Sequence, residues 1–315
     1  MLVGPPANLA ELRHISNYHE HASPGGSMIS LTSSDRGASM FQREAAEAFR
    51  IVKKLEGRGT RVEPALFINL ARVRTNASRV ANLWARTFSG GAAFFPYKTN
   101  STRAVCQAIR SAHIGAEVCS DSEFRLALRD RHNARNIMVN GPAKSHELIA
   151  SSILQGAIVN LDNLEEVRIA CSTLRHSSAF TNSPRIGFRL RPVINTQQLS
   201  VFGMDRDQIL TACRMVKDVC KDASLGIHLH LGLNAPIGNC FARALNDAAD
   251  IARCFQSSGG KTFVNVGSGF WPPDWSTNRQ QAVESALLTV GMIRRVLRKH
   301  LDLENSPVYT EPGET

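Results

Sequence analysis

Short apolar runs of four to seven residues recur along the chain at 92–97, 116–119, 136–140, 157–161, 185–190, 225–231, 262–266 and 307–310. Runs of that length, bounded by polar, Gly or Pro clusters, read as strands. Between them, at 102–112, 121–130, 145–155, 163–174, 205–220, 242–257 and 279–299, apolar positions return every three to four residues. That is the spacing of a helix with one buried face. A further helix is predicted over 73–87 and another over 41–56, where Phe41, Ala45, Ala48, Phe49, Val52 and Leu55 share a face. Between these two, Pro64 interrupts the chain and "ALFINL" predicts a strand over 65–70. Residues 1–40, rich in Pro, Gly, Ser and His, hold no period and read as an irregular leader.

Eight strands separated by helices over about 220 residues is the alternation of an α/β protein, and specifically of a (β/α)8 TIM barrel. A doubly wound open sheet has the same alternation. The polar residues favour the barrel. Lys98, Arg189, His230, the run Gly267, Ser268, Gly269, and Glu311 all fall at or just past the C-terminal ends of predicted strands, the face on which barrels carry their sites.

Composition narrows the class further. The formal charge is +10, but its lysines and arginines are spread along the chain, and three tyrosines and three tryptophans offer little to stack on bases. Nucleic acid is therefore not an expected partner. No apolar run reaches the roughly 18 residues of a membrane span, and residues 1–30 lack a basic start followed by an apolar stretch. Seven cysteines, without a CxxC pair, read as reduced thiols. The expectation is a soluble, cytoplasmic protein.

The candidate chemistry lies in four places. Lys98 follows an apolar run beside Phe94, Phe95 and Tyr97, a setting expected to lower the pKa of its amine. In "FVNVGSGF" a strand ends in small residues whose backbone N–H groups could cradle a phosphate. His228 and His230 share one strand face, but no third metal ligand is evident from spacing, and no metal is expected. Glu311 precedes a Pro-Gly turn that would hold its carboxylate at a barrel mouth. A strand-end lysine, a stacking histidine, a glycine-rich phosphate loop and a carboxylate together match what pyridoxal phosphate needs.

With those residues in view, the chain resembles the fold-type III pyridoxal-phosphate decarboxylases, the ornithine, diaminopimelate and arginine decarboxylase family with its alanine-racemase-like barrel. "FPYKTNS" resembles YAVKANS, "NGPAKSHELI" the GPxK segment, "IGFRLRP" the LRI strand, "SVFGM" the SKFG segment, "HLHLGLN" HxHIGS, "VGSGF" GGGF, and "TEPGE" EPGR. These matches run in family order from about residue 62 to the last residues. The resemblance implies a Schiff base between Lys98 and pyridoxal 5'-phosphate, His230 stacked on the ring, and Glu311 paired with the pyridine nitrogen. It places Glu117, Ser120, Glu123 and Arg189 near the cofactor, and Gly267, Ser268, Gly269 and Gly313 about its phosphate.

The implied activity is decarboxylation of an amino acid by a homodimer; a racemase or a non-catalytic relative would use the same residues. Three departures from the family stand out: Leu233 where a phosphate-binding serine is usual, Ser268 for the middle glycine, and Glu314 for the arginine of EPGR. They imply a phosphate site arranged differently. In the family a second, β-rich domain follows the barrel, and residues 41–70 would belong to it. The chain ends at Thr315, so a truncated chain is expected, with the barrel at 71–315.

Overall fold

The computed structural model describes residues 40–59, 67–176, 183–194, 197–198, 201–230, 239–257, 261–268, 279–302 and 305–312. The chain divides into two compact units, Met1–Asn69 and Leu70–Thr315. In the first, α1 (Met40–Glu56) carries exposed i,i+3 ion pairs between Glu47 and Arg50 and between Lys53 and Glu56. Such pairs contribute a few tenths of a kcal/mol each (~0.2–0.5).

The second unit is a closed parallel barrel. Its strands are β1 (Ala92–Pro96), β2 (Gly115–Val118), β3 (Ile137–Val139), β4 (Ile158–Leu161), β5 (Arg185–Leu190), β6 (Ser224–Leu229), β7 (Thr262–Asn265) and β8 (Val308–Thr310). Each pairs with its neighbours in chain order, and β8 closes on β1 with Ala92 opposite Tyr309 and Ala93 opposite Thr310. Around it run α2 (Leu70–Thr87), α3 (Arg103–Arg110), α4 (Asp121–Arg129), α5 (His146–Leu154), α6 (Leu164–His176), α7 (Arg206–Val219), α8 (Asn239–Ser257) and α9 (Arg279–His300). Helix α2 fills the eighth outer place. The indole of its buried Trp84 donates to Val308 O at 2.7 Å, tying α2 to the strand that closes the ring.

Several helices start just past the strand ends under side-chain caps. Ser120 accepts from Glu123 N, Ser145 from Leu148 N, and Asp205 forms a capping box with Gln208. Each cap is worth about 1 kcal/mol and fixes where its helix departs from the barrel mouth.

The barrel interior is layered by strand alternation. Near the N-terminal end lies an apolar cluster of Phe94, Met138, Ile158, Phe263 and Tyr309, with Phe94 edge-on to Tyr309 at 5.4 Å. The Phe263 ring fits because its neighbour is Gly226, where a Cβ would stand 2.3 Å from the ring. Two residues further along each strand the filling becomes polar: Asn140 after Met138, Asn160 after Ile158, Asn265 after Phe263 and Glu311 after Tyr309. A polar upper half sets the C-terminal face apart as the place to look for a site.

Two local expectations change. Of the predicted strand 65–70, residues 65–66 lie outside the described residues, 67–69 form no strand, and Leu70 opens α2. Leu70 belongs to the stripe Leu70, Val73, Ala77, Val80, Trp84, whose 3.6-residue repeat wins over a short apolar run. A two-residue hairpin, Val193–Ile194 with Gln197–Gln198, follows β5 without any periodic signal.

Candidate active site

Lys98 follows β1 in a turn closed by Thr99, whose N–H and hydroxyl both donate to Pro96 O. Its side chain is about half exposed at 48%, and Nζ lies 3.1 and 3.2 Å from the two oxygens of Glu117. Glu117, on β2, is fully buried. Cys119 Sγ is 3.8 Å from the ammonium and donates to Glu117 Oε1 at 3.0 Å.

The aromatic crowd expected around Lys98 does not form. Alternation along β1 turns Tyr97 to the other side, where its hydroxyl donates to Asp130 at 3.2 Å. The expected lowering of the Lys98 pKa is accordingly reversed. Burial disfavours the ammonium, but the carboxylates of Glu117 and Glu311 outweigh it, and the pKa is raised. The counterpart is Glu117, whose pKa burial pushes up, with Glu311 adding to the rise and Lys98 opposing it.

Glu311 follows β8 and is 1% exposed. Its Oε1 accepts from Asn140 Nδ2 at 2.7 Å and Asn265 Nδ2 at 2.5 Å, with His228 Nε2 at 3.5 Å. Burial pushes its pKa up; His228 and His230, which count toward this only when protonated, Lys98 and the Asn265 hydrogen bond oppose burial and leave the pKa below the ordinary value.

His228 is buried on β6, and burial pushes its pKa down to about 3; neither ring nitrogen has a hydrogen-bond partner. His230, just past the strand and partly exposed, is also lowered, first by burial. The two rings lie 6.2 Å apart. Both imidazoles are therefore neutral at neutral pH. Side-chain nitrogen and oxygen atoms of His228, His230 and Glu311 all lie within 4.8 Å of one another, a grouping their sequence spacing does not reveal.

Arg189, on β5, donates to Asp162 Oδ1 at 2.8 Å and lies over the Phe202 ring at 5.2 Å. Asp162 accepts from Gly203 N through its other oxygen, and its own N–H donates to Glu166 Oε2. Glu166 pairs at 2.7 Å with Lys144, whose side chain is wholly buried and whose Nζ also donates to Gly141 O. A ladder of charges thus runs from Lys144 to Arg189 and sets the guanidinium at the mouth.

Of the glycine-rich loop, Gly267 and Ser268 are among the described residues. Gly267 has φ +66, and a Cβ there would stand 2.5 Å from Leu229 O and 3.3 Å from His230 Nδ1, so only glycine fits beside the histidine. Its N–H, however, is not offered to a phosphate: it donates to Asn265 Oδ1 at 3.0 Å. Ser268 is partly exposed beyond it. Gly269 and Gly313, with Leu233 and Glu314, lie outside the described residues. Ser120 and Glu123 serve the start of α4. The Glu123 carboxylate accepts from Cys119 N at 2.7 Å and so fixes the backbone between Glu117 and the helix.

Asn140, Asn160, Asn265, Asp162 and Cys119 are absent from the sequence reading. A signal exists for the asparagines: "NIMVN", "AIVNL" and "TFVNV" each place one at the inward position near the end of an apolar run.

Residues 74–315 match the family described as pyridoxal-dependent decarboxylase, pyridoxal binding domain. The chain is 27% identical to the diaminopimelate decarboxylase of Archaeoglobus fulgidus over 203 residues, 62% of this chain and 48% of that protein. With the enzyme of the same name from Methanothermobacter thermautotrophicus it shares 24% over 221 residues, 67% of this chain and 50% of that one. It spans about half the length of these curated relatives. In fold it resembles the crystal structure of diaminopimelate decarboxylase from M. jannaschii, with a TM-score of 0.64 and 20% identity over 77% of this chain and 58% of that one. Ornithine decarboxylase from Entamoeba histolytica gives 0.57 and 18% over 76% and 63%.

Proposed function

This chain belongs to the pyridoxal-dependent decarboxylase family, and from that premise we propose that it forms the pyridoxal-phosphate-holding barrel of an amino-acid decarboxylase of the diaminopimelate/ornithine type. The observation that carries the proposal is the half-exposed amine of Lys98 at the barrel mouth, within 3.1 Å of one buried carboxylate and drawn electrostatically toward a second.

The residues fit the cofactor. Lys98 offers an amine that a solute can reach. Glu311 offers a carboxylate held in its ionised form, as a ring nitrogen requires. His230 offers a neutral imidazole face, and Gly267 leaves room beside it that any Cβ would fill. Pyridoxal phosphate, when bound, supplies an aldehyde for an amine and a ring that withdraws electrons from the α-carbon of an amino acid.

The chain's own groups divide the proton handling. Glu117 sits against Lys98 Nζ with a raised proton affinity, so it can take the proton the amine must lose to act as a nucleophile. Cys119 Sγ–H stays a thiol, its pKa raised by burial and then by Glu117, and orients the Glu117 carboxylate. Arg189, anchored by Asp162, places a fixed positive charge near the histidines and disfavours their protonation. In this reading Ser268, Gly269 and Gly313 receive the phosphate, and residues 41–70 belong to a second domain. The assembly is a homodimer, the form the family resemblance implies, and sedimentation at micromolar concentration reads it. Among the described residues no helix is long and apolar enough to cross a membrane. Seven cysteines without a CxxC pair suit a reducing cytoplasmic setting.

The test is carbon dioxide release from a panel of amino acids, with diaminopimelate, ornithine and arginine included, in the presence of pyridoxal phosphate. Release that is abolished in Lys98→Ala supports decarboxylation. Racemised product without carbon dioxide reassigns the reaction, and cofactor uptake without turnover of any amino acid makes the barrel a non-catalytic relative.

A further inference from the structure

The polar half of the barrel contains an arrangement that holding a cofactor does not by itself require. Asn140, just past β3, and Asn265, on β7, direct their amide nitrogens at the same oxygen of Glu311, at 2.7 and 2.5 Å. A backbone donor fixes the Asn265 amide, and the Asn140 amide is held for as long as Asn160, whose own buried Oδ1 has no partner, donates to it. Asn140 Oδ1 accepts from Asn160 Nδ2 at 2.7 Å, and Asn265 Oδ1 accepts from the Gly267 N–H at 3.0 Å. With each amide oxygen claimed by a donor, only the NH2 end remains for the carboxylate. Asn160 reaches Asn140 across Gly187, where a Cβ would fall 1.8 Å from Asn160 Oδ1. The set is thus a one-way relay of donors, Asn160 to Asn140 to Glu311, met from the other side by Asn265.

We propose that Asn140 and Asn265 are positioning residues that lock Glu311 as a carboxylate in one orientation, so that it presents an acceptor to the ring nitrogen of the cofactor. This rests on the cofactor reading above. Glu311 lies close enough to the second buried carboxylate, Glu117, to raise its proton affinity, and the two amide donors are placed on Glu311 and not on Glu117. The other charged or titratable groups facing Glu311 are His228 and His230 from β6 and its end, and Lys98 after β1; Arg189 on β5 acts on the histidines. His228 is buried and His230 partly exposed, and their charge can change with pH; the amides are donors whose state does not.

Asparagine and aspartate have nearly the same shape, so Asn140→Asp and Asn265→Asp turn a donor into an acceptor without opening a void. Proton uptake by Glu311 is followed in the cofactor-free protein by infrared difference spectra, with Glu311→Gln to assign the carboxyl band, and pyridoxal phosphate affinity is measured alongside. In the unmodified protein the infrared titration should show Glu311 taking up its proton below the ordinary carboxylate range. Each Asp variant should raise the proton affinity of Glu311 at least about tenfold, one pH unit, and weaken pyridoxal phosphate binding at pH 8 by a similar factor. The proposal is overturned if the variants leave that proton affinity within threefold, or if Glu311 of the unmodified protein carries a proton at neutral pH. Should one variant fail to fold, the other decides; should both fail, the titration of the unmodified protein decides. If the infrared titration behaves as stated while no protein takes up pyridoxal phosphate, the cofactor reading falls, and with it the role toward a ring nitrogen, while the locking of Glu311 by the two amides stands.

Discussion

Gly187→Ala is the smallest change that tests how the barrel interior is built. The new methyl carbon would stand 1.8 Å from Asn160 Oδ1, 3.0 Å from its Cγ and 3.4 Å from the Phe263 ring. No real contact survives at the first distance, so Asn160 must swing away. Its hydrogen bond to Asn140, 2.7 Å and buried, is then lost. Orphaning a buried acceptor costs about 1–3 kcal/mol, and overfilling a packed interior adds about 1–3 kcal/mol. The expected loss is therefore about 2–6 kcal/mol, a large share of the roughly 5–15 kcal/mol that holds a typical domain. Urea unfolding followed by far-UV circular dichroism reads the loss as a lower midpoint at unchanged slope. A double-mutant cycle sharpens the test. In an Asn160→Ala background the obstruction is gone, so Gly187→Ala should cost less than about 1 kcal/mol, and the coupling between the sites should reach about 2 kcal/mol or more. A Gly187→Ala protein within about 0.5 kcal/mol of the parent, or two substitutions that simply add, would refute the packing argument.

Two further outcomes follow from the buried charges. Lys144→Met leaves Glu166 buried without its cation and should destabilise the protein by about 3–5 kcal/mol, read in a thermal melt, while Lys144→Met with Glu166→Leu recovers most of the loss; equal losses in the two would contradict the ion-pair account. His228 is held neutral in the fold, with its pKa pushed from 6.5 to about 3. The unfolded chain therefore binds a proton that the native one refuses as the pH drops below about 6.5. Stability falls with falling pH from there toward 3, by up to about 1.4 kcal/mol per unit. His228→Gln should flatten that slope between pH 6.5 and 4.5, a window above the titration of Glu311, in stability measured by denaturant midpoints; an unchanged slope would place the acid sensitivity elsewhere.

The barrel was legible because its two periods, short apolar runs and 3.6-residue repeats, depend only on neighbours in the chain. Lys98 and Glu311 were legible because each stands as a charge directly after such a run. The relay around Glu311 was not, since Asn140 and Glu311 are 171 positions apart and meet only through the closure of the ring. Each asparagine could have been flagged singly by its inward place on a strand, but which strands face one another across a barrel is not written in any local pattern. Tyr97 shows the opposite error. It adjoins Lys98 in sequence, and for that reason alternation sends it the other way, onto Asp130. The small hairpin at 193–198 escaped because two-residue strands carry no period at all.

The central claim, that Lys98 is the cofactor-binding amine of this barrel, is tested most directly by titrating the protein with pyridoxal phosphate in the visible range, beside Lys98→Ala, followed by borohydride trapping and peptide mapping. The account predicts a saturable absorbance band in the parent, its absence in the variant, and the trapped label on Lys98. A band of equal strength in both proteins, or a label on any other lysine, would contradict it.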